Sequence, residues 1–187
     1  MKGYANIKAD DFCCIGAVLE TILVRNSYKK YSQYDIINEF GLIVPLTAKV
    51  SEKIKNITYS DDPNDWGVKI EYNSLNTFFR KEGIMLVEEY ISIRKIADYR
   101  FEQTLKSISD EFDVVFGFDY GMLNNIPDYY GIGHVGLFLK LEGENLLYLD
   151  PGPRNYGVRK VNIDNLYNAV KNKSDGLWII KSTVHNK

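Results

Sequence analysis

Apolar residues recur with the 3.6-residue period of an α-helix near the start of the chain. This period predicts a helix over residues 14 to about 24, with Asp10 and Asp11 just upstream as candidate N-caps. Cys14 is then expected at the first turn of this helix. The apolar positions that carry the period are Ala17, Val18, Leu19, Ile22 and Leu23.

Two further helices are predicted in the first half of the chain. A capping-box pattern over residues 32–35 begins the second helix, and Gly41 ends it. The third helix is predicted over residues 74–81, before Gly83. Residues 47–66 mix polar and apolar positions around an Asp-Asp-Pro-Asn run, so we expect them to form a turn-rich surface segment.

A β-hairpin between His134 and Asp150 gives the strongest strand pattern in the chain. Apolar residues alternate along its first strand, a turn follows around Gly143, and a short apolar run returns as the partner strand. The alternating residues of the first strand are Val135, Leu137, Leu139 and Leu141.

The other elements of the second half are indicated by shorter patterns. They predict strands over residues 84–92, 112–118 and 177–181, and helices over residues 98–109 and 164–171. Helices therefore come first and an antiparallel meander dominates the second half. This order favours an α+β fold, and no linker divides the chain, so we expect a single domain over residues 1–187.

Length and composition are those of a soluble globular domain. The chain has 187 residues, of which 45% are hydrophobic and 26% charged. Its formal net charge of −2 argues against a nucleic-acid binder. There is no apolar run of about 18 residues, so no membrane span is predicted, and no oligomeric state is favoured. The first residues lack the apolar core of a secretory signal, so we expect a cytoplasmic protein.

Motifs that would hold a cofactor or a metal ion are absent from the sequence. There is no phosphate-binding glycine loop, no calcium-loop pattern and no GxSxG nucleophile turn. Two histidines and two adjacent cysteines do not have the paired spacing of zinc ligands. We therefore expect neither a metal nor a cofactor.

Cys14, His134 and Asp150 are the residues that could carry chemistry. A thiolate at a helix start is favoured by the helix dipole, although the nearby charge of Asp11 opposes it. Strands of nearly equal length on both sides of the turn predict that His134 and Asp150 lie side by side. Each residue alone is more typical of packing or of a turn. Together they favour a nucleophile, a base and a group that orients the base.

The order Cys, His and Asp-Pro resembles the papain-like cysteine peptidases of the bacteriocin-processing, double-glycine leader type. The strand that begins with His and returns into Asp-Pro matches His134 and Asp150-Pro151. The resemblance implies a papain-like fold, in which a helical N-terminal half packs its nucleophile helix on a C-terminal antiparallel sheet. It also implies Cys14, His134 and Asp150 as the catalytic residues.

The choice between the two adjacent cysteines follows from the same resemblance. The family has Ala three residues and Leu five residues after its nucleophile, and Ala17 and Leu19 stand at these distances from Cys14. Counting from Cys13 would place Gly and Val there instead. Adjacent cysteines rarely form a disulfide, and on a helix their side chains point about 100° apart, so at most one faces a site.

The chain departs from the family at the oxyanion hole. Such peptidases usually carry a Gln six residues before the Cys, and here that position is Lys8. Asn6 is the nearest side-chain amide. Three alternatives remain at this point: Lys8 or Asn6 replaces the Gln, the backbone N–H of Cys14 acts alone, or the protein is not an efficient peptidase.

Three functions are consistent with these residues. The first is a cysteine peptidase or hydrolase acting on a peptide or acyl substrate through a thioester. The second is an acyltransferase of the same fold, which passes the acyl group to an amine. The third is a catalytically inactive papain-like domain that binds a peptide. Bacteriocin-processing peptidases are usually fused to an exporter, and this sequence contains no such segment, which makes leader cleavage less expected.

Overall fold

The computed structural model of the protein describes residues 3–5, 7–63, 65–68, 70, 74–108 and 112–183. The chain divides into two compact units. The cysteine unit comprises Gly3–Ile84 and Pro151–Tyr156, and the histidine unit comprises Met85–Asp150 and the chain from Gly157 onward. Both units contain helices and strands, which confirms the α+β class. That they form one papain-like domain stays a prediction.

The cysteine unit contains the three helices that the sequence predicts. The second of them has the expected capping box at Ser32 and ends at Gly41. The unit is not only helical, however, because it also holds a three-stranded sheet. Its elements are α1 (Cys14–Arg25), α2 (Gln33–Phe40), β1 (Leu42–Pro45), β2 (Ile57–Ser60), β3 (Gly67–Val68) and α3 (Ser74–Lys81).

The small sheet corrects the expectation of turns alone over residues 47–66. The strand order is β2-β1-β3, with β2 parallel to β1 so that Leu42 lies opposite Ile57, and with β3 antiparallel to β1. β2 has four residues, none of them fully buried, so it lacks a clear alternation of buried and exposed positions. The parallel pairing of β2 with β1 also joins residues about 15 positions apart, so no turn between neighbouring strands marks it in the sequence.

Helices α1 and α2 pack closely because Gly16 has no side chain. A Cβ atom added at Gly16 would lie 2.8 Å from the carbonyl oxygen of Gln33, so a larger residue would push the helices apart. Apolar residues from the start of α1, from α2 and from β1 form one core beside this contact. Its buried members are Ala9, Cys13, Ala17, Ile37, Leu42, Val44 and Ile54.

The histidine unit is built on a six-stranded antiparallel sheet of order β4-β9-β5-β6-β7-β8. The predicted strands and helices of the second half are all present. β8 was not predicted; it is an edge strand whose charged and polar residues are mostly exposed, which hides the strand pattern. The elements are β4 (Leu86–Ser92), α4 (Asp98–Ile108), β5 (Asp113–Asp119), α5 (Tyr120–Asn124), β6 (Gly133–Glu142), β7 (Asn145–Asp150), β8 (Gly157–Asn162), α6 (Ile163–Lys173) and β9 (Gly176–Ser182).

One face of this sheet packs against α4 and α6. Alternate residues of β5 and β7 point to this face, since successive strand side chains point to opposite sides. Phe116, Phe118 and Tyr148 contribute large aromatic rings, and Leu166 and Val170 of α6 cover them. Strand β6, which begins at Gly133 and carries His134, belongs to this sheet. The core packed against the sheet therefore fixes the backbone that positions His134.

Candidate functional site

Cys14 is the first residue of α1, as predicted, and its side chain is half-buried. The first backbone N–H groups of a helix have no partner within the helix, and they create a positive potential at this end. The thiol of Cys14 lies at this end of the helix, beside these backbone donors. The position therefore suits a nucleophile.

The predicted N-caps of α1 are wrong. The N-cap residue is Cys13, and its side chain makes no capping hydrogen bond. Asp10 is engaged elsewhere: its carbonyl oxygen accepts from the N–H of Cys13 at 3.0 Å, and its carboxylate accepts from the hydroxyl of Tyr34. The side chain of the N-cap residue Cys13 therefore does not supply the acceptor that an N-cap usually offers to the first N–H groups of a helix.

Cys13 and Cys14 have different surroundings, although they are neighbours. Cys13 is 0% exposed, and its Sγ donates to the carbonyl oxygen of Asp11 at 3.4 Å. Burial, followed by the negative charge of Asp10, raises the pKa of Cys13 to about 12. Such a thiol stays protonated and out of reach, so Cys14 is the one cysteine of the pair that is accessible.

The turn before α1 is built on an unusual backbone conformation. Phe12 has a φ of 64°, in the left-handed region that glycine usually occupies. Its ring lies edge-on to Trp66, with 5.9 Å between the ring centroids. Such a conformation persists only where the surroundings hold it, and it sets the direction in which the chain enters α1.

His134 and Asp150 contact each other in the histidine unit. Nε2 of His134 lies 2.8 Å from Oδ1 of Asp150, and the side chains are 10% and 0% exposed. An ionised carboxylate only accepts, so Nε2 donates and the neutral ring has its lone pair on Nδ1. A buried pair of this kind can take up a proton and stabilise the imidazolium that results.

The register of the hairpin differs from a simple equal-length pairing. A bulge lies between Phe138 and Lys140, and beyond it Leu137 pairs with Leu149. Continued by one residue, this register places Asp150 opposite Gly136. Gly136 lies two residues after His134, so His134 and Asp150 are on the same face of the sheet. The two side chains therefore meet diagonally, and Gly136 has no side chain to stand between them.

Two aromatic rings hold the imidazole of His134. Phe118 lies opposite His134 in the strand pairing, with ring centroids 5.4 Å apart and an interplanar angle of 87°. Tyr120 makes a similar edge contact at 5.4 Å and 84°. Edge-to-face contacts of this kind are favourable, so the two rings stabilise the orientation of the imidazole.

The loop before His134 is anchored by Asp119, a residue that the sequence analysis did not single out. Asp119 is fully buried; its Oδ1 accepts from the N–H of Met122, and its Oδ2 accepts from Gly131 and from the side chain of Asn172. The signal in the sequence was an Asp at a strand end, three residues before Met122, which is typical of a helix N-cap.

Of the two candidate oxyanion-hole donors, Lys8 and Asn6, the structure describes only Lys8. The side chain of Lys8 is exposed, while its carbonyl oxygen accepts from the side-chain amide of Gln33 at 3.1 Å. Asn6 lies outside the described residues. Gln33 itself was not singled out from the sequence, since its contact joins residues 25 positions apart.

The described part of the chain contains no candidate metal site. No group of three or more His, Cys, Asp or Glu side chains within it is arranged to hold one. Among the same residues, no helix has the length and apolar character needed to cross a membrane.

Comparison with known proteins gives a likeness in structure alone. No family model matches the sequence, and no curated protein matches it either. A crystal structure from Bacillus anthracis, provisionally described as a C39-like peptidase, superposes with a TM-score of 0.59 at 12% identity, covering 98% of each chain. The chain therefore shares its fold with that protein over nearly its whole length.

Proposed function

We propose that the protein is a cysteine-dependent hydrolase that acts on a peptide or acyl substrate through a thioester intermediate. The observation that carries the proposal is the 2.8 Å contact between Nε2 of His134 and Oδ1 of the buried Asp150. The position of Cys14 at the start of α1 and the fold shared with a C39-like peptidase support it.

In the proposed acylation step, Nδ1 of His134 accepts the thiol proton of Cys14, and Sγ forms a bond to the carbonyl carbon of the substrate. The oxygen becomes an anion that the backbone N–H of Cys14 stabilises, with Lys8 or Asn6 as the second donor. The imidazolium then returns its proton to the leaving amine or alcohol as the bond to the carbonyl carbon breaks. Asp150 keeps the donor hydrogen on Nε2 and stabilises the imidazolium.

In the proposed second step, water attacks the thioester, and His134 accepts its proton. The thiolate of Cys14 leaves and takes the proton back from the imidazolium, which restores the starting state. An amine in place of water would make the same protein an acyltransferase. The products formed from one acyl donor, with and without an added amine, distinguish the two acceptors.

The second candidate function is an inactive papain-like domain that binds a peptide. Lys8 at the position of the usual Gln favours it, because an oxyanion-hole donor contributes about 3–4 kcal/mol to transition-state stabilisation. Such a domain would retain the His134–Asp150 contact without acylation of Cys14.

Selective labelling of Cys14 tests the proposal. At pH 6 an ordinary thiol, with a pKa of about 8.5, is almost entirely protonated. We expect iodoacetamide to modify Cys14 well ahead of Cys13 at this pH, and p-nitrophenyl acetate to acylate Cys14. Both reactions should persist in Cys13→Ser, the matched control, and be lost in Cys14→Ser.

The variant His134→Ala completes the test. It should slow labelling of Cys14 at pH 6 if His134 accepts the thiol proton. Equal slow labelling of both cysteines, or labelling of Cys14 at the same rate in His134→Ala, would refute the assignment. Slow acylation of a folded wild-type protein would favour the inactive domain instead.

A further inference from the structure

Gln33 is a buried polar residue that ties α2 to the segment before Cys14. Its side-chain Nε2 donates to the carbonyl oxygen of Lys8 at 3.1 Å, and its Oε1 accepts from the N–H of Asp10 at 3.0 Å. The amide thus bonds two backbone groups two residues apart, as a neighbouring β-strand would. Gln33 is 7% exposed, so these bonds are shielded from water.

The position of Gln33 is itself held from several sides. Its backbone N–H donates to Oε2 of Glu20 on α1 at 2.7 Å, and its carbonyl oxygen faces Gly16 at close range. On the other side of the segment, the N–H of Ala9 donates to the carbonyl oxygen of Pro151 at 2.8 Å. The backbone of residues 8–10 is therefore fixed on both edges.

Residues 8–10 position two groups that take part in the proposed reaction. The segment contains Lys8, a candidate oxyanion donor, and it continues through the turn between Asp10 and Cys13 into Cys14. The left-handed φ of Phe12 allows little freedom in that turn. A displacement of residues 8–10 would consequently move both the donor and the start of the nucleophile helix.

We propose that Gln33 is a positioning residue for the nucleophile, acting through residues 8–10 and not by contact with the substrate. This inference rests on the proposed function. The side-chain amide of Gln33 binds the backbone of residues 8–10 through both its nitrogen and its oxygen. It sets where Lys8 and the first N–H groups of α1 lie with respect to a bound carbonyl.

The same helix offers a matched control. Asn38 of α2 donates through Nδ2 to the carbonyl oxygen of Lys53 at 3.0 Å and accepts through Oδ1 from the N–H of Lys55 at 2.6 Å. This amide again binds two backbone groups two residues apart, and its Oδ1 also accepts from the N–H of Asn56 at 3.3 Å. Its segment leads to β2 and not to Cys14. Asn38→Leu and Gln33→Leu thus remove the same kind of contact from two different segments.

The test measures single-turnover acylation by p-nitrophenyl acetate in wild type, Gln33→Leu and Asn38→Leu, together with the thermal midpoint of each protein. A misplacement of about 1 Å can cost as much as about 100-fold in rate, so we expect a loss of about ten-fold or more at saturating ester in Gln33→Leu. The half-saturating ester concentration should change little. Asn38→Leu should keep its rate within about two-fold.

Gln33→Glu is a second variant, which tests the role of Gln33 while keeping a polar side chain of the same length at this position. When protonated, the introduced carboxyl can donate to Lys8 and accept from Asp10, as the amide does; when ionised, it loses the donor. The carboxylate of Glu20 already binds the backbone N–H of this residue, and burial adds to the effect of its charge, so the pKa of the introduced carboxyl should be raised. We expect near wild-type acylation at low pH and a fall as the carboxyl ionises, which is a pH limb absent from wild type.

Two results would overturn the inference while leaving the proposed function intact: equal rates in Gln33→Leu and Asn38→Leu, or a Gln33→Glu profile that follows wild type at every pH. A folded wild-type protein that p-nitrophenyl acetate does not acylate at Cys14 would overturn the proposed function, and the positioning role of Gln33 with it.

Discussion

Replacing Asp150 with Asn removes the charge beside His134 and leaves the size of the side chain unchanged. The carboxylate is 0% exposed and its Oδ1 lies 2.8 Å from Nε2, so the contact is a short, shielded, charge-assisted hydrogen bond whenever the ring is protonated. The amide can still offer an oxygen to Nε2. It can also turn its NH2 group toward the ring and favour the wrong tautomer.

The magnitude follows from the strength of that contact. A hydrogen bond to a charged group contributes about 1.5–3 kcal/mol, and about 1.4 kcal/mol corresponds to a factor of ten in rate. Asp150→Asn should therefore slow acylation of Cys14 by about ten- to hundred-fold. His134→Ala should be at least as damaging, because it removes the proposed base itself.

The assay combines kinetics with two controls on the structure. Stopped-flow acylation by p-nitrophenyl acetate gives the rate, thermal melts give stability, and ¹⁵N shifts of the His134 ring give its tautomer. Asp175→Asn is the matched control: its carboxylate accepts from the N–H of Gly176 in the same unit and lies outside the proposed triad, so the rate should stay within about two-fold.

A full acylation rate in Asp150→Asn, at unchanged stability and with unchanged ring shifts, would contradict the proposed role of Asp150 in catalysis. Asp150 would then be a turn residue before Pro151 and not a partner in catalysis. The case for a His–Asp pair would fall, although the reactivity of Cys14 would still stand on its own measurement.

Two further predictions concern the surroundings of the site. Tyr120→Leu removes an edge contact with His134 worth about 0.5–1.5 kcal/mol, so acylation should slow about two- to ten-fold. Tyr120→Phe retains the ring and should retain the acylation rate. Equal acylation rates in the two variants would contradict a role for the ring. Burial raises the pKa of Cys13 from 9.0 to about 12, so between these values the unfolded state loses a proton that the folded state retains, and stability falls as pH rises. Denaturant titrations should give a steeper fall for wild type than for Cys13→Ala between about pH 9 and pH 12, and parallel curves would contradict the burial of the thiol.

Features of the protein that have a local physical cause can be predicted from the amino-acid sequence alone. The apolar period after Cys14, the capping box at Ser32 and the alternation along the strand from His134 each act over a few residues, and the structure has the corresponding elements. The hairpin also brought His134 and Asp150 together, because two strands joined by a short turn leave few choices of pairing.

Features that depend on contacts between residues far apart in the chain could not be predicted and are seen only in the folded protein. The parallel pairing of β1 with β2, the edge contact of Tyr120 with His134 and the hydrogen bonds from Gln33 to residues 8 and 10 leave no periodic trace in the sequence. The caps predicted for α1 failed for a related reason. Asp10 has a nearby helix start and a distant tyrosine as competing partners, and only the folded chain determines that its carboxylate binds Tyr34.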